Sequence, residues 1–401
     1  MNPVIVSEEH FINSFDSRQA NYARKYLQAK KLFQSINNMS EVSRLIKMPK
    51  RTVIEWLSGA KTPICIKQMN ALKTMDLMPL FESDNKKFIL FLDIFAFVFG
   101  DGHLCNSLGS MRLSGCKKDL LLIKQKIESL WGINCIFEKE VSGSNVTRIL
   151  RDGKIITMKI KGSSYVISID SSSLSRLIFV AGAPKGDKVK QKVVAPKWLM
   201  DSDLPTKKRF LGVLFGNELQ IPSLRAKNAF TSIHLGFHKV DNLTENLHVF
   251  LRQIAGLLKE FKVLVSDVKL EDTKCLKKGG LIAYKSFIYF RSNPGNILNL
   301  FLNIPLLYAD KKSIKFGKCV ESFLEEFPML EKNWLIYEQA IELHKQGLGH
   351  VRIFNKLGLA KNYLYKLNAW IYYNLKPKYY SDRGPIILAN SIFKKGARGM
   401  I

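Results

Sequence analysis

The spacing of apolar and polar positions divides the chain into two helical ends and a mixed centre. Up to about Asn85 the apolar residues recur at helical intervals. Within this part, "MSEVSRLIKMPKRTVIEWLSGAKTP" (39–63) predicts two short helices. Ser40 can cap the first, and Pro49 separates it from the second, which is predicted over Thr52 to Leu57. Two short helices joined by a tight turn are typical of a helix-turn-helix.

The last segment, from about Glu331, repeats this arrangement. Its pattern predicts a helix up to Gly347, a short helix up to Gly358 and then a longer helix. The second helix of each pair would face the major groove of a nucleic acid. The residues expected there are Lys50, Arg51 and Thr52 in the first pair and Lys361, Asn362 and Lys366 in the second. A plain helical bundle without a ligand is the alternative at the N-terminal end.

Between about Lys86 and Phe327 the same order of elements occurs twice. The first copy starts with a helix over Phe88 to Gly100 and contains a hairpin that turns at Asp152 and Gly153. The second copy starts with a helix over Lys207 to Asn217 and includes a strand predicted over Val263 to Leu270. Two copies of a mixed unit predict a pseudo-twofold α+β domain.

The charge of the chain narrows its partners. Lys and Arg number 62 against 34 Asp and Glu, so the formal net charge is +28 over 401 residues. Such an excess indicates a polyanion, nucleic acid before an anionic membrane. The longest apolar run is too short for a membrane span, which needs roughly 20 residues. The six cysteines form no C-x-x-C pair, which favours reduced thiols in an intracellular protein.

The repeat helices end in acidic residues beside small ones. "IFAFVFGDG" (94–102) places Asp101 between two glycines, and "LGVLFGNEL" (211–219) places Glu218 at the matching position. These motifs resemble those of the LAGLIDADG homing endonucleases, in which two such helices pack along a pseudo-twofold axis. The small residues Ala96, Gly100, Gly212 and Gly216 would let the two backbones approach.

The resemblance implies a site-specific DNA endonuclease that hydrolyses phosphodiester bonds with Mg²⁺ or Mn²⁺. By it, Asp101 and Glu218 are the catalytic metal ligands, since paired carboxylates repel unless cations lie between them. Lys188 and Lys311 are the matching lysines near the active site, with Lys185, Lys192 and Lys312 as alternatives.

The implied fold has two αββαββα repeats that form a saddle over double-stranded DNA, with all-α helix-turn-helix domains at both ends. The boundaries are 1–85, 86–206, 207–330 and 331–401. One chain holds both repeats, so a monomer in the cytoplasm, associated with the nucleoid, is expected. The basic residues expected along the groove of DNA are Arg148, Arg151, Lys154, Lys159, Lys161, Lys274, Lys277, Lys278 and Lys285.

The second motif departs from the family pattern. Glu218 stands where Asp is more common, and Leu219 stands where Gly is usual. Two alternatives therefore stay open: a catalytically reduced DNA-binding transcription regulator on the same scaffold, and an RNA-binding intron maturase. His234 and His238 have the spacing of a helical metal pair, but a strand is predicted there, which separates them along its length.

Overall fold

The computed structural model describes residues 3–225, 229–277 and 280–377. Within these ranges the side chains of 140–145, 160–163, 225, 229 and 326–327 are not described. The chain divides into two compact units. The first comprises 1–218, 237–254 and 270–286, and the second comprises 219–236, 255–269 and 287–401. Helices and strands are mixed, as the sequence predicts.

The N-terminal part of the first unit is mainly helical. Its elements are β1 (Val4–Val6), α1 (Glu8–Asn13), α2 (Ser17–Ile36), α3 (Met39–Ile46), α4 (Lys50–Leu57), α5 (Ile64–Thr74) and β2 (Leu80–Phe81). The short helices α3 and α4 form where the sequence predicts them. However, the side chain of Asn38, and not that of Ser40, caps α3, because its oxygen accepts the amides of Ser40 and Glu41.

The first copy of the predicted repeat follows in the same unit. Its elements are α6 (Lys86–Phe99), β3 (Gly102–Leu104), β4 (Met111–Gly115), α7 (Lys117–Trp131), β5 (Cys135–Ile149), β6 (Ile155–Ile169) and α8 (Ser172–Val180). Leu120, Ile123 and Ile127 give α7 one buried face, and this helix packs on the strands. A turn of 3₁₀-helix at Lys188–Lys190, α9 (Lys197–Asp201) and α10 (Leu204–Glu218) complete the continuous part of the unit.

The remaining elements are β7 (Leu224–Arg225), β8 (Ala229–Phe230), β9 (Ile233–Val240), α11 (Thr244–Glu260), β10 (Lys269–Leu276), β11 (Ile282–Phe290), α12 (Pro294–Asn303), α13 (Asp310–Lys345), α14 (His350–Lys356) and α15 (Tyr363–Tyr372). Strands β3 to β6 and β9 to β11 form a seven-stranded sheet in the order β3-β4-β6-β5-β10-β11-β9.

The strand predicted over Val263 to Leu270 is wrong, since β10 begins only at Lys269. The backbone before it bonds partly to helix ends and only in part to β11, where the amide of Ser266 donates to the carbonyl oxygen of Tyr289 at 2.8 Å. The amide of Val263 donates to the carbonyl of Leu258, and that of Leu264 donates to the side chain of Asn296. Val265 makes only an isolated bridge.

Helix α13 dominates the second unit. It runs without a break over 36 residues with Pro328 inside, so the boundary predicted at 331 falls within it. Ala340, Ile353, Leu367 and Trp370 bring α13, α14 and α15 around one apolar core. No helix in the described part of the chain is long and apolar enough to cross a membrane.

Candidate active site

The ends of α6 and α10 meet where both carry their acidic residues. A Cβ added to Gly100 would lie 3.0 Å from the Cβ of Asn217. These two residues directly precede Asp101 and Glu218, and they hold matching positions in the two motifs. The rings of Phe95 and Phe99 pack against Phe210 farther along the same pair of helices. The close approach therefore brings the two acidic ends together.

A buried ion pair ties α6 to α10 behind these ends. Asp93 is 1% exposed, and its two oxygens accept Nε and Nη2 of Arg209 at 2.6 and 2.8 Å. Such a fork sets the register of the two helices because it satisfies a carboxylate in only one geometry. In the sequence Asp93 is only an interruption of an apolar run. A carboxylate within an apolar run predicts a buried charge, and a buried charge requires a cationic partner. This feature of the sequence could have indicated the pair.

Asp101 lies outside the helix, in a turn that requires glycine. Gly100 ends α6 with a non-helical backbone, and Asp101 is exposed before β3 begins at Gly102. A Cβ on Gly102 would lie 2.7 Å from the carbonyl oxygen of Phe97, which no side chain tolerates without movement. The Gly-Asp-Gly motif thus lets the chain turn sharply and leaves the carboxylate at the surface.

Glu218 reaches the same region in a different way. It is the last residue of α10, so its backbone is still helical, and it is half-buried. The position of the Glu218 carboxylate therefore depends on the length of its side chain, whereas the position of the Asp101 carboxylate is set by a backbone turn.

Lys188 is the predicted lysine that the structure brings to the acidic ends. Its Nζ donates to the carbonyl oxygens of Val98 at 3.3 Å, of Gly102 at 2.9 Å, and of Gly100. Burial lowers the pKa of Lys188, and the nearby charges of Glu218 and Asp101 oppose that shift. Its ammonium therefore binds the carbonyls at the end of α6 and lies close to both carboxylates.

Lys239 supports Lys188 from beneath, and sequence reasoning missed it. It is 2% exposed on β9, and its Nζ donates to the carbonyl oxygens of Lys188 and Gln191. Burial lowers its pKa to about 8, and the charge of Lys188 adds to the shift. The signal was available in "IHLGFHKV", where Lys239 follows Ile233, Leu235 and Phe237 at the period of the buried face.

The other lysine candidates differ in exposure and in the unit to which they belong. Lys311 is exposed in the first turn of α13, in the second unit, and Lys312 follows it half-buried. Lys185 places its ammonium 4.6 Å from the ring centroid of Phe179, and Lys192 is exposed. Of the matched lysine pair, Lys188 belongs to the same unit as Asp101 and Glu218, and Lys311 belongs to the second unit.

The basic residues predicted to follow the groove of DNA are divided between two faces of the sheet. Arg148 is opposite Cys275 in the strand register, whereas Lys274 is opposite Ile149 and Lys159 is opposite Asn145. Since faces alternate along a strand, Arg148 lies on one face and Lys159 and Lys274 lie on the other. The prediction did not consider this alternation.

The face with Arg148 also carries Glu271, which forms an ion pair with Lys285 at 3.6 Å. Near the hairpin ends, Arg151 pairs with Asp272, Lys154 is exposed, and Lys277 follows β10. Lys278 and the side chain of Lys161 lie outside the described residues.

The two histidines singled out in the sequence lie on β9, in a strand as predicted. Nε2 of His238 is 3.3 Å from Sγ of Cys275. Burial and the neighbouring charges of Lys277, Lys285 and Arg148 lower the pKa of His238 to about 4. His234 contacts the rings of Phe287 and Tyr289. The six cysteines are free, and the described residues contain no cluster of three or more His, Cys, Asp or Glu suited to a metal.

The predicted recognition residues at the two ends differ in their positions. Lys50 and Arg51 are exposed in the first turn of α4, with Thr52 half-buried beside them. Lys361 and Asn362 were predicted on a helix, but α15 begins only at Tyr363, because the amide of Tyr363 closes a tight turn to Ala360. Lys366 is on α15, 3.2 Å from the side-chain oxygen of Asn333.

No family model matches the chain. It is 30% identical over 248 residues to the tRNA-splicing ligase RtcB of Pyrococcus furiosus, which covers 61% of this chain and 24% of the relative. It is 29% identical over 249 residues to the RNA polymerase subunit Rpo1N of Methanocaldococcus jannaschii, covering 61% and 18%. The replication factor C small subunit of the same organism is 25% identical over 278 residues, covering 66% and 14%. The chain thus spans less than a third of the length of these relatives.

Similar solved structures include mesophilic variants of the homing endonuclease I-DmoI, 12% identical, with a TM-score of 0.29 over 54% of this chain and 88% of that one. Full-length DUF199/WhiA from Thermatoga maritima is 13% identical, with a TM-score of 0.30 over 75% and 94%. Both TM-scores are low, so these structures do not indicate the function of this chain.

Proposed function

We propose that the chain is a site-specific DNA endonuclease that hydrolyses phosphodiester bonds with a divalent metal ion. One observation carries the proposal: the ends of α6 and α10 abut at Gly100 and Asn217, directly before Asp101 and Glu218. The excess of basic residues supports a nucleic-acid substrate, since the formal charge is +28.

The donor set fits Mg²⁺ or Mn²⁺. These ions prefer oxygen ligands and are commonly held by one or two carboxylates together with substrate phosphate and water. Asp101 is exposed and Glu218 half-buried, so both can reach a phosphate at the surface. When bound there, such ions supply an activated water and stabilise the charge that develops on the leaving oxygen.

The protein's own residues position these two ligands. The turn at Gly100 and Gly102 presents Asp101, and the ion pair of Asp93 with Arg209 holds the two helices in register. Lys188 directs its donors to the carbonyls that precede and follow Asp101. It is therefore a positioning residue, and its charge reduces the repulsion between the two acids.

The sequence relatives favour a module that is separable from their own activities. A ligase for tRNA splicing, an RNA polymerase subunit and a replication factor each match this chain over a minor part of their length. Because their functions differ, the part of each relative that matches this chain need not carry any of those functions. An endonuclease module explains the matches better than ligation or polymerisation does.

A DNA-binding regulator is the second candidate, and the second acidic end favours it. Glu218 is still helical and longer than Asp by one methylene, so its carboxylate is less constrained in depth than that of Asp101. Without a shared ion the site would bind DNA and leave it uncut. An intron maturase is distinguished by the same assay with structured RNA in place of DNA.

The test begins with a duplex selected from a random library by binding to the full chain. We expect cleavage of this duplex with Mg²⁺ or Mn²⁺ and none with a chelator. Binding without any nick in either metal would reject the endonuclease. Tighter binding to structured RNA than to the selected duplex would favour the maturase.

Salt dependence tests the extended DNA contact separately. For six to ten phosphate contacts, raising salt from ~50 to ~200 mM lowers affinity by about 10³-fold or more. A loss below about tenfold would show a small footprint and reject contact by the ends of the chain.

A further inference from the structure

We infer that an arginine-centred junction holds the helix pair α3–α4 at one fixed spacing from the acidic ends of α6 and α10. The two would then engage DNA only at one separation. The inference rests on the proposed function, because it takes α3–α4 as an element that contacts DNA.

Arg176, on α8, is the centre of the junction. Its guanidinium carbon lies 3.7 Å from the ring centroid of Phe15. Nη1 donates to the carbonyl oxygen of Ser14 at 2.9 Å, and Nε donates to the side-chain oxygen of Gln68 at 3.2 Å. A planar guanidinium that stacks and donates in two directions fixes orientation more strongly than a lysine would.

Gln68 extends the same network. It is 8% exposed on α5, and its amide nitrogen donates to the hydroxyl of Ser172 at 2.9 Å, at the start of α8. Phe11 and Cys65 are fully buried on the two helices that pack against α8. The N-terminal segment is therefore docked on α8 through both a polar network and an apolar contact.

The connection from the junction to α4 is packed along its length. Trp56 of α4 is 1% exposed, and its ring meets those of Tyr22 and Tyr26 on α2 at 4.7 and 5.7 Å. Helix α2 packs on both α1 and α5. A displacement of α4 relative to α8 would have to break one of these contacts.

The connection from the junction to Asp101 consists of paired strands. Strand β6 leads into α8, and its Ile169 pairs with Met111 of β4. Strand β4 in turn pairs with β3, which starts at Gly102, directly after Asp101. The carboxylate and the junction therefore belong to one hydrogen-bonded framework.

The peptide that joins the N-terminal segment to α6 is also tied down. Strand β2 (Leu80–Phe81), on the way from α5 to α6, pairs with β1 (Val4–Val6) at the start of the chain. A flexible tether would be expected to lack such pairing. This feature is independent of Arg176 and indicates the same fixed docking.

The experiment lengthens the selected duplex. Base pairs are inserted between the cleavage position and the flank that α3–α4 protects from digestion. In the wild type, roughly five added base pairs turn the flank by about half a helical turn, so we expect loss of flank protection and at least about tenfold weaker binding. In Arg176→Ala the same insertion should cost at least about threefold less than in the wild type, because the polar network that fixes the orientation is lost while the apolar and β1–β2 contacts remain.

Arg252→Ala is the matched control, because Arg252 is an exposed arginine of the same unit, outside the junction. It should respond to the insertion as the wild type does. A wild type that binds the lengthened duplex as well as the original would overturn the fixed spacing. The inference would also be overturned if α3–α4 protected no flank of the selected duplex. If that duplex were still cleaved, the endonuclease proposal would remain valid.

Hydrogen exchange tests the junction without DNA. We expect Arg176→Ala to raise exchange of the amides in α1 and α5 by at least about tenfold and to leave α6 and α10 unchanged. Unchanged exchange in α1 and α5 would overturn the junction itself. Arg176→Lys keeps the charge, so faster exchange in that variant as well would assign the effect to the planar guanidinium.

Discussion

The two acidic helix ends hold matching positions in the sequence but are built differently. Asp101 has left α6 and lies in a turn between two glycines, with the ammonium of Lys188 on the surrounding carbonyls. Glu218 is the last helical residue of α10. The backbone places the first carboxylate, and the side chain's own conformation places the second.

This difference predicts unequal tolerance to change. Where the backbone sets the position of the carboxylate, as at Asp101, altering the turn or the acid should abolish function. Where a flexible side chain sets that position, as at Glu218, replacement by an acid of another length should be tolerated more readily. The following predictions test that contrast from the largest expected effect to the smallest.

Asp101→Asn should reduce cleavage on the order of 10³-fold or more, since under the proposed function it removes one of the two carboxylates that bind the metal. DNA binding should be kept or strengthened, because a negative charge facing phosphate is lost. Single-turnover cleavage and a binding titration measure the two effects. Asp201→Asn, at an exposed acid on α9, is the control and should cleave normally. Equal cleavage by both variants would remove Asp101 from the site.

Glu218→Gln should lower the cleavage of at least one strand by about tenfold or more, whereas Glu218→Asp should cleave at least as well as the wild type. Aspartate keeps the carboxylate and is the commoner acid in the motifs that this one resembles. Strand-specific labels on the duplex separate the two nicks. If Glu218→Asp is as inactive as Glu218→Gln, the carboxylate at position 218 must lie at one fixed depth, and a shorter side chain cannot reach it.

Gly102→Ala should destabilise the fold by about 1–3 kcal/mol, because the new Cβ would meet backbone that cannot move freely. The clash is with the carbonyl of Phe97, at 2.7 Å. Gly256→Ala is the opposite control, because Gly256 lies in α11 with open space around it, and there the change should stabilise by about 0.5–1 kcal/mol. Urea unfolding measures both. A neutral Gly102→Ala would show that the first turn is more adaptable than its geometry indicates.

Lys239 should make the stability of the fold depend on pH. Burial lowers its pKa in the folded chain to about 8 from the ordinary lysine value of 10.5. Below about pH 8 both states hold the proton and the cost of burying the charge is fully present. Between these two pKa values the folded chain has released a proton that the unfolded chain keeps, so stability should rise with pH in that window. The neutral amine can still donate to both carbonyls.

The comparison for this prediction is Lys239→Met, whose stability should lack the rise. Subtracting its free energy of unfolding from that of the wild type at each pH isolates the contribution of Lys239. A difference that falls as pH increases would mean that the charged form stabilises this part of the fold.

Local pattern was enough to predict many of the elements and both acidic ends. The glycines beside Asp101 and the apolar faces of α6 and α10 mark the end and the packing of each helix within a few residues. Reasoning from pattern failed at Val263 to Asp267, where the amides of Val263 and Leu264 bond to Leu258 and Asn296, and pairing with β11 is limited to an isolated bridge and single hydrogen bonds. It also assigned Asn362 to a helix that begins one residue later.

The overall positive charge, the mixed architecture and the two carboxylates at helix ends can be predicted from residue types and short-range periodicity alone. Three contacts depend on the packed fold: Lys188 binds the carbonyls around Asp101, Lys239 binds the backbone of Lys188, and Arg209 pairs with Asp93. These pairs join residues far apart in the chain. Which long side chain meets which buried acceptor depends on the packed arrangement of whole helices and strands, since a buried charge is stable only where that arrangement supplies its partner.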